Sequence, residues 1–145
     1  MRILAALLLL LSLSAFGAND EGTRSFDNFQ VHYTLFPSTF LTPEIAAQHK
    51  ITRSGAEALI NVSVLKNGPN GTPIPVAAKV TGEQYDLIRR EAISFREIRE
   101  PGAIYYIGNF TITDKTTIYF TLWVEAEPGV PPQKIQFSKM LYREE

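Results

Sequence analysis

The chain has 145 residues, 14 Lys and Arg against 15 Asp and Glu, and no cysteine. Its formal charge of −1 and the scatter of its basic residues leave no cationic face for phosphate, so nucleic acid is not an expected partner. Without cysteine there are no disulfides, no thiol nucleophile, no lipidated cysteine and no Cys-ligated metal.

The chain opens on Met1-Arg2, an apolar run from Ile3 to Leu13, and small residues from Ser14 to Ala18. This is the layout of a secretory signal peptide, and the run is shorter than the ~20 residues of a membrane-spanning helix. Ala15 and Gly17 fit the small positions before a cleavage site. The expected division is a leader over 1–17 and one domain over 18–145, not membrane-spanning once the leader is gone. An exported chain without cysteine fits a bacterial envelope, so a periplasmic location is expected. The glycosylation sequons at Asn61, Asn70 and Asn109 are chance-level matches in that setting. The remaining length supports one core.

Phe29, Val31, Tyr33 and Leu35 alternate with Gln30, His32 and Thr34, the period of a half-buried strand. "FPSTFLTPEIAAQHKITRSG", residues 36–55, interrupts that pattern. Thr42 can accept a hydrogen bond from an orphan amide, Pro43 loses nothing at the first helical position, and Glu44 suits the positive end of the dipole. The stretch predicts a short crossover helix near residues 43–50, between the first two strands. Two turns cannot stand alone, so the helix must dock. Phe36, Phe40, Leu41 and Ile45 are the expected anchors, closing one end of the core. Glu44, His49 and Arg53 are expected to line the resulting groove, with His32 nearby.

A second strand follows, with Ala58, Ile60, Val62 and Val64 on one face. "KNGPNGTP", residues 66–73, reads as a turn, and a third strand is expected at about 75–81. "GEQYDLIRREAISFREIREPG", residues 82–102, carries two periods. Tyr85, Ile88, Ala92 and Phe95 fall at helical spacing, whereas Ile93 and Phe95 alternate with Ser94 and Arg96. The neighbouring turns favour a turn and then a strand over 92–99. "AIYYIGNFTI", residues 103–112, is rich in aromatic and β-branched residues. In "TTIYFTLWVEA", Ile118, Phe120, Leu122 and Val124 oppose Tyr119, Thr121, Trp123 and Glu125. The aliphatic side is expected to be buried. Ile135, Phe137, Lys139 and Leu141 begin the same alternation in a last strand. About seven strands between regular turns predict an all-β, immunoglobulin-like two-sheet antiparallel sandwich, with a small closed barrel as the alternative.

The chemical candidates are few. His32 and His49 are the only histidines, and neither has a close acidic or imidazole cluster, so no metal and no cofactor is expected. Ser38, Thr39, Ser54 and Ser63 lack a Gly-x-Ser-x-Gly or Ser-x-x-Lys context and read as caps and turns. Glu44, Glu97 and Glu100 are the candidate acid–base carboxylates, but Arg96, Glu97, Arg99 and Glu100 read as exposed ion pairs. No catalytic set emerges. Tyr119 and Trp123 point to the same side of one strand, with Tyr105, Tyr106 and Tyr142 as candidate neighbours. Exposed, they could stack on sugars or receive a protein. The simpler expectation is that aromatic packing buries them.

"VHYTLFPSTFLTPEIAAQHKITRSGAEALINVSVL", with "FREIREPGAIYYIG" later, resembles the DUF4426 family of small exported gammaproteobacterial proteins. The resemblance implies a bacterial periplasmic setting and brings no catalytic residue. The expected function is a non-enzymatic binding module for a protein or an envelope component. The competing readings are a small hydrolase with its site beside residues 36–55, and a carbohydrate-binding module using exposed aromatics.

Overall fold

The computed structural model describes residues 22–144. The expected leader over 1–17 lies outside them. Ten strands are present among the described residues: β1 (Thr23–Ser25), β2 (Phe29–Pro37), β3 (Glu57–Asn67), β4 (Pro73–Pro75), β5 (Lys79–Tyr85), β6 (Arg90–Ile93), β7 (Phe95–Glu100), β8 (Ala103–Thr111), β9 (Thr116–Glu125) and β10 (Gln133–Leu141). The first sheet runs β1-β2-β3-β8-β7, with β4 also on β3; the second runs β10-β9-β5-β6. Every pairing is antiparallel. The expected two-sheet sandwich is present, and its sheets end at edge strands instead of closing into a barrel.

Ten strands replace the expected seven for physical reasons. β1 and β4 are three residues long, too short to show a period. The strand expected at 75–81 is divided between β4 and β5. The strand expected at 92–99 is two strands, β6 on the second sheet and β7 on the first, with Ser94 between them. Glycine makes that change of sheet possible. A Cβ on Gly108 would lie 2.4 Å from Ile93 Cγ2, and one on Gly82 would lie 3.1 Å from a Phe95 ring carbon. Each strand facing the corner therefore carries a bare backbone position where the β6–β7 chain passes inside.

The interior is filled from both sheets. Val31, Tyr33, Ile60, Val62, Tyr106 and Phe110 of the first meet Val80, Phe120, Leu122, Val124 and Ile135 of the second. Phe120 and Leu122 are buried, as their alternation requires. Phe120 meets Phe110 edge-on at 5.0 Å and stacks on Phe137 at 4.9 Å.

The helix α1 (Pro43–Gln48) does not close an end of this core. β2 and β3 are hydrogen-bonded neighbours, with Phe36 opposite Leu59. Residues 38–56 therefore form the connection of an antiparallel pair, not a crossover. That connection folds back over the outer face of the first sheet. Leu41, Ile45, Ala46 and Ile51 pack there on Leu59, Tyr105 and Ile107, a second core outside the sandwich. The centre of the first sheet is thus covered on both faces, which is why "ALINV" and "IYYI" read as nearly continuous apolar runs. Phe36 is a partial anchor, and Leu41 and Ile45 are full ones. Phe40 is not an anchor: it is 63% exposed, because it lies in the single 3₁₀ turn Ser38–Phe40 ahead of the docked segment.

Candidate functional site

The polar residues of the connection are largely occupied in holding it. Thr42 caps α1, its Oγ1 accepting from the Ile45 amide at 3.3 Å, with Pro43 and Glu44 in the first turn. The Ser38 hydroxyl donates to the Ser54 carbonyl and accepts from the Ser54 amide, both at 2.9 Å. Arg53 donates from Nε to the Leu41 carbonyl at 2.7 Å and from Nη2 to the Thr39 carbonyl at 3.2 Å. Its guanidinium is a clasp for the local backbone. Arg96 of β7 donates to the His49 carbonyl at the far end of α1.

The four residues proposed from sequence are not brought together. Glu44 and His49 lie at opposite ends of α1, about 7 Å apart along its axis by helical rise. His32 lies on the outer face of β2, four residues before Phe36, about 13 Å along the strand. Its Nδ1 is 3.0 Å from Thr23 Oγ1, and its buried Nε2 has no hydrogen-bond partner among the described residues. Burial lowers the pKa of His32, and burial together with the Arg96 charge lowers that of His49. Both imidazoles are thereby favoured neutral. Among the described residues no three His, Asp or Glu side chains converge as metal donors.

The acidic candidates are also structural. Glu97 accepts from Arg99 Nε at 2.5 Å and from the Tyr106 hydroxyl at 3.1 Å, and these bonds lower its pKa. The same hydroxyl accepts from the Ala78 amide at 2.7 Å, tying β8 to the connection between β4 and β5. Glu100 instead has its pKa raised by desolvation, and its Oε2 is buried without a partner.

The outer face of the second sheet is different. The register sets Tyr85 of β5 opposite Tyr119 of β9 on one side and Arg90 of β6 on the other. The tyrosine rings stack at 5.2 Å and 18°. The Arg90 guanidinium carbon sits 4.5 Å from the Tyr85 centroid, and Arg90 also pairs with Glu83. A cation–π–π row thus crosses three strands. Trp123 lies two residues along β9 past the buried Thr121 and is half-buried. Tyr119 is 37% exposed. The expectation that packing buries this face holds in part: Tyr119 and Trp123 stand on the outer side of the sandwich, but stacking and neighbouring side chains cover much of each and bury Thr121 between them. Tyr105 and Tyr106 do not join them, being buried in the first sheet. A shallow hollow of about 270 Å³ opens beside Tyr85, Tyr119, Gln136 and Ser138. The helical spacing of Tyr85 with Ile88 hides the row in the sequence. Reading Thr81, Glu83 and Tyr85 as one strand face would have exposed the row.

A family described only as a domain of unknown function, DUF4426, matches residues 23–144. The chain belongs to the DUF4426 family. A crystal structure of a DUF4426 family protein from Pseudomonas aeruginosa is 37% identical, with a TM-score of 0.74 over 86% of this chain and 97% of that one. FetP of uropathogenic Escherichia coli, expressed in the periplasm of Escherichia coli, shares the fold at 9% identity, with a TM-score of 0.58 over 86% and 95%. A copper-bound FetP variant gives 10% identity and a TM-score of 0.57 over 85% and 95%. No curated protein matches. The copper belongs to FetP: the described part of this DUF4426 chain has no converging set of metal donors, and so low an identity conveys the fold alone.

Proposed function

We propose that this DUF4426 chain is an exported, non-enzymatic binding module that receives a protein or envelope component on the outer face of its second sheet. The observation that carries the reading is the asymmetry of the sandwich. The first sheet has the centre of its outer face covered by α1 and its flanking turns. The second presents the Arg90–Tyr85–Tyr119 row, the half-buried Trp123 and an open hollow. Tyrosine, tryptophan and arginine are the side chains most enriched in binding hot spots. The leader-like start and the resemblance of the chain to exported relatives support a periplasmic setting.

A sugar platform is less favoured, because stacking occupies Tyr85 between Tyr119 and Arg90. An enzyme site beside residues 36–55 is disfavoured because Arg53 and Ser38 serve the local backbone. The test is photocrosslinking in the periplasm of a bacterial host, with a benzophenone amino acid placed at Tyr119 or at Glu44. Adducts from position 119 and not from position 44 are expected. Adducts from 44 alone, or equal yields from both positions, would remove the second sheet from the functional surface.

A further inference from the structure

The β5–β6 hairpin ends in a turn with an unusual choice of residues. Asp86, Leu87, Ile88 and Arg89 join Tyr85 to Arg90, which are paired across the two strands. The Asp86 amide donates to the Arg89 carbonyl at 3.0 Å, and Asp86 Oδ1 accepts from the Ile88 and Arg89 amides, both at 2.7 Å. The backbone is therefore fixed. No residue of the turn has positive φ, so the geometry requires no special residue, and polar side chains would suit it. The sequence places leucine and isoleucine there instead. Leu87 is 95% exposed and Ile88 is 90% exposed. Single exposed aliphatics are ordinary on protein surfaces. Two in succession, at the apex of a rigid protrusion, hold apolar area away from the rest of the chain.

The collar around the apex has a distinct chemistry. Arg89 and Arg90 stand directly behind the two aliphatics. Glu83 takes Arg90; Arg89 makes no direct ion pair among the described residues, but its charge, after the Arg89 and Ile88 amide bonds, helps to hold the pKa of the neighbouring Asp86 carboxylate down. Tyr85 and Tyr119 stand behind Arg89 in the same row as Arg90, with their stacked rings on the outer face. An apolar tip, then the Arg89 head on its flexible stem, then amphipathic aromatics level with the Glu83-paired Arg90, follows the order in which side chains partition across a lipid interface. A protein receptor would need a concave pocket for this convex tip, whereas a fluid acyl layer needs none. The Asp86 turn also removes an ordering step, since the tip is held before it meets anything.

We propose that the Leu87–Ile88 tip inserts into the surface of an anionic lipid bilayer, with Arg89 at the phosphate level and the Tyr85–Tyr119 stack at the interface. The proposal shares the Tyr85–Tyr119 stack with the binding face described above, but its test reads the Leu87–Ile88 tip, which lies outside that face, so failure of one reading is distinguishable from failure of the other.

The test is flotation with vesicles of phosphatidylcholine and phosphatidylglycerol. It uses protein whose intact mass shows that residues 1–17 are absent. Wild type should float with the vesicles. The double variant Leu87→Ser with Ile88→Ser should partition about tenfold or more weakly, given the apolar area removed. Its urea midpoint should stay at the wild-type value, since both side chains are exposed. In a Trp123→Phe background, Leu87→Trp should shift its emission to the blue on adding vesicles and be quenched by brominated lipids. Wild type remaining wholly in the aqueous fraction would overturn the proposal. So would equal flotation of wild type and the double variant, or an unshifted emission from Leu87→Trp.

Discussion

Ser38 and Ser54 close residues 38–54 into a loop, the Ser38 hydroxyl donating to the Ser54 carbonyl and accepting from its amide at 2.9 Å each. One fully buried side chain thus satisfies two backbone groups from the other end of the segment. Ser38→Ala leaves the Ser54 amide without this acceptor, while the Ser54 carbonyl keeps the Glu57 amide at 3.1 Å, so the loss should be about 1 kcal/mol. The urea midpoint of Ser38→Ala should therefore fall at unchanged slope. A midpoint within error of wild type would mean that the connection is not held at this point.

Arg53 is expected to matter for stability before it matters for any partner. Its hydrogen bonds to the Leu41 and Thr39 carbonyls orient the chain into and out of α1. The side chain is solvent-exposed, which screens the charge, so Arg53→Ala should cost about 1 kcal/mol, below the full value of a charge-assisted bond. Arg53→Lys cannot reproduce two bonds from a planar fork, so it should recover only part of the loss. Thermal unfolding of the three proteins orders them as wild type, Lys, Ala. Full recovery by lysine would show that only charge was needed.

The corner between β6 and β7 gives a third expectation. A methyl group on Gly108 would meet Ile93 Cγ2 at 2.4 Å and the Phe95 ring at 3.2 Å. Ile93 is buried and cannot step aside freely. Gly108→Ala should destabilise by about 1–3 kcal/mol through overpacking. Ile93→Ala, which removes the crowding Cγ2, should cost less in the Gly108→Ala background than in wild type. Denaturant unfolding of the single and double variants decides it. Additive losses in the double variant would show that the two residues do not compete for space.

The sequence showed the strands whose two faces differ. β2 and β9 alternate because one face is interior and the other is open or only partly covered. The β8 run "AIYYIG" reads as a strand by composition, but its doubled burial is hidden, since period-2 logic assigns one buried face. Tyr105 therefore reads as a surface aromatic, whereas it lies beneath α1. The segment 82–102 resisted reading because one chain serves two sheets, and Ser94 marks a change of sheet that no periodicity encodes. α1 was legible from Thr42, Pro43 and Glu44, which are local signals. Its docking face was not, because that depends on which strands lie beside β3. For the same reason the polar candidates were chosen for their chemistry without their partners: Arg53 is held by backbone carbonyls, which carry no sequence signal.

The last prediction concerns pH, where two kinds of group act in opposite directions. His32 and His49 have pKa values lowered from the ordinary 6.5, the first by burial and the second by burial and then by Arg96. The unfolded chain therefore binds more protons than the folded one just below that value, and stability falls as pH drops through it. Their contribution is complete above about pH 6.5 and is lost towards the lower folded values. Glu100 works the other way. Desolvation raises its pKa above the ordinary 4.5, so its favourable contribution exists at acid pH and disappears as pH rises through the folded value. Its Oε2 is buried without a partner, consistent with a carboxylate better tolerated when protonated. Urea midpoints should therefore drop between about pH 7.5 and pH 5.5 in wild type, and drop less in His32→Gln. Glu100→Gln should raise the midpoint at pH 7.5 and lose that advantage near pH 4, where the wild-type side chain is itself neutral. An advantage of Glu100→Gln that is equal at both pH values would show that the amide gains by packing or hydrogen bonding. In that case the cost of an ionised carboxylate at the end of β7 would not be the cause.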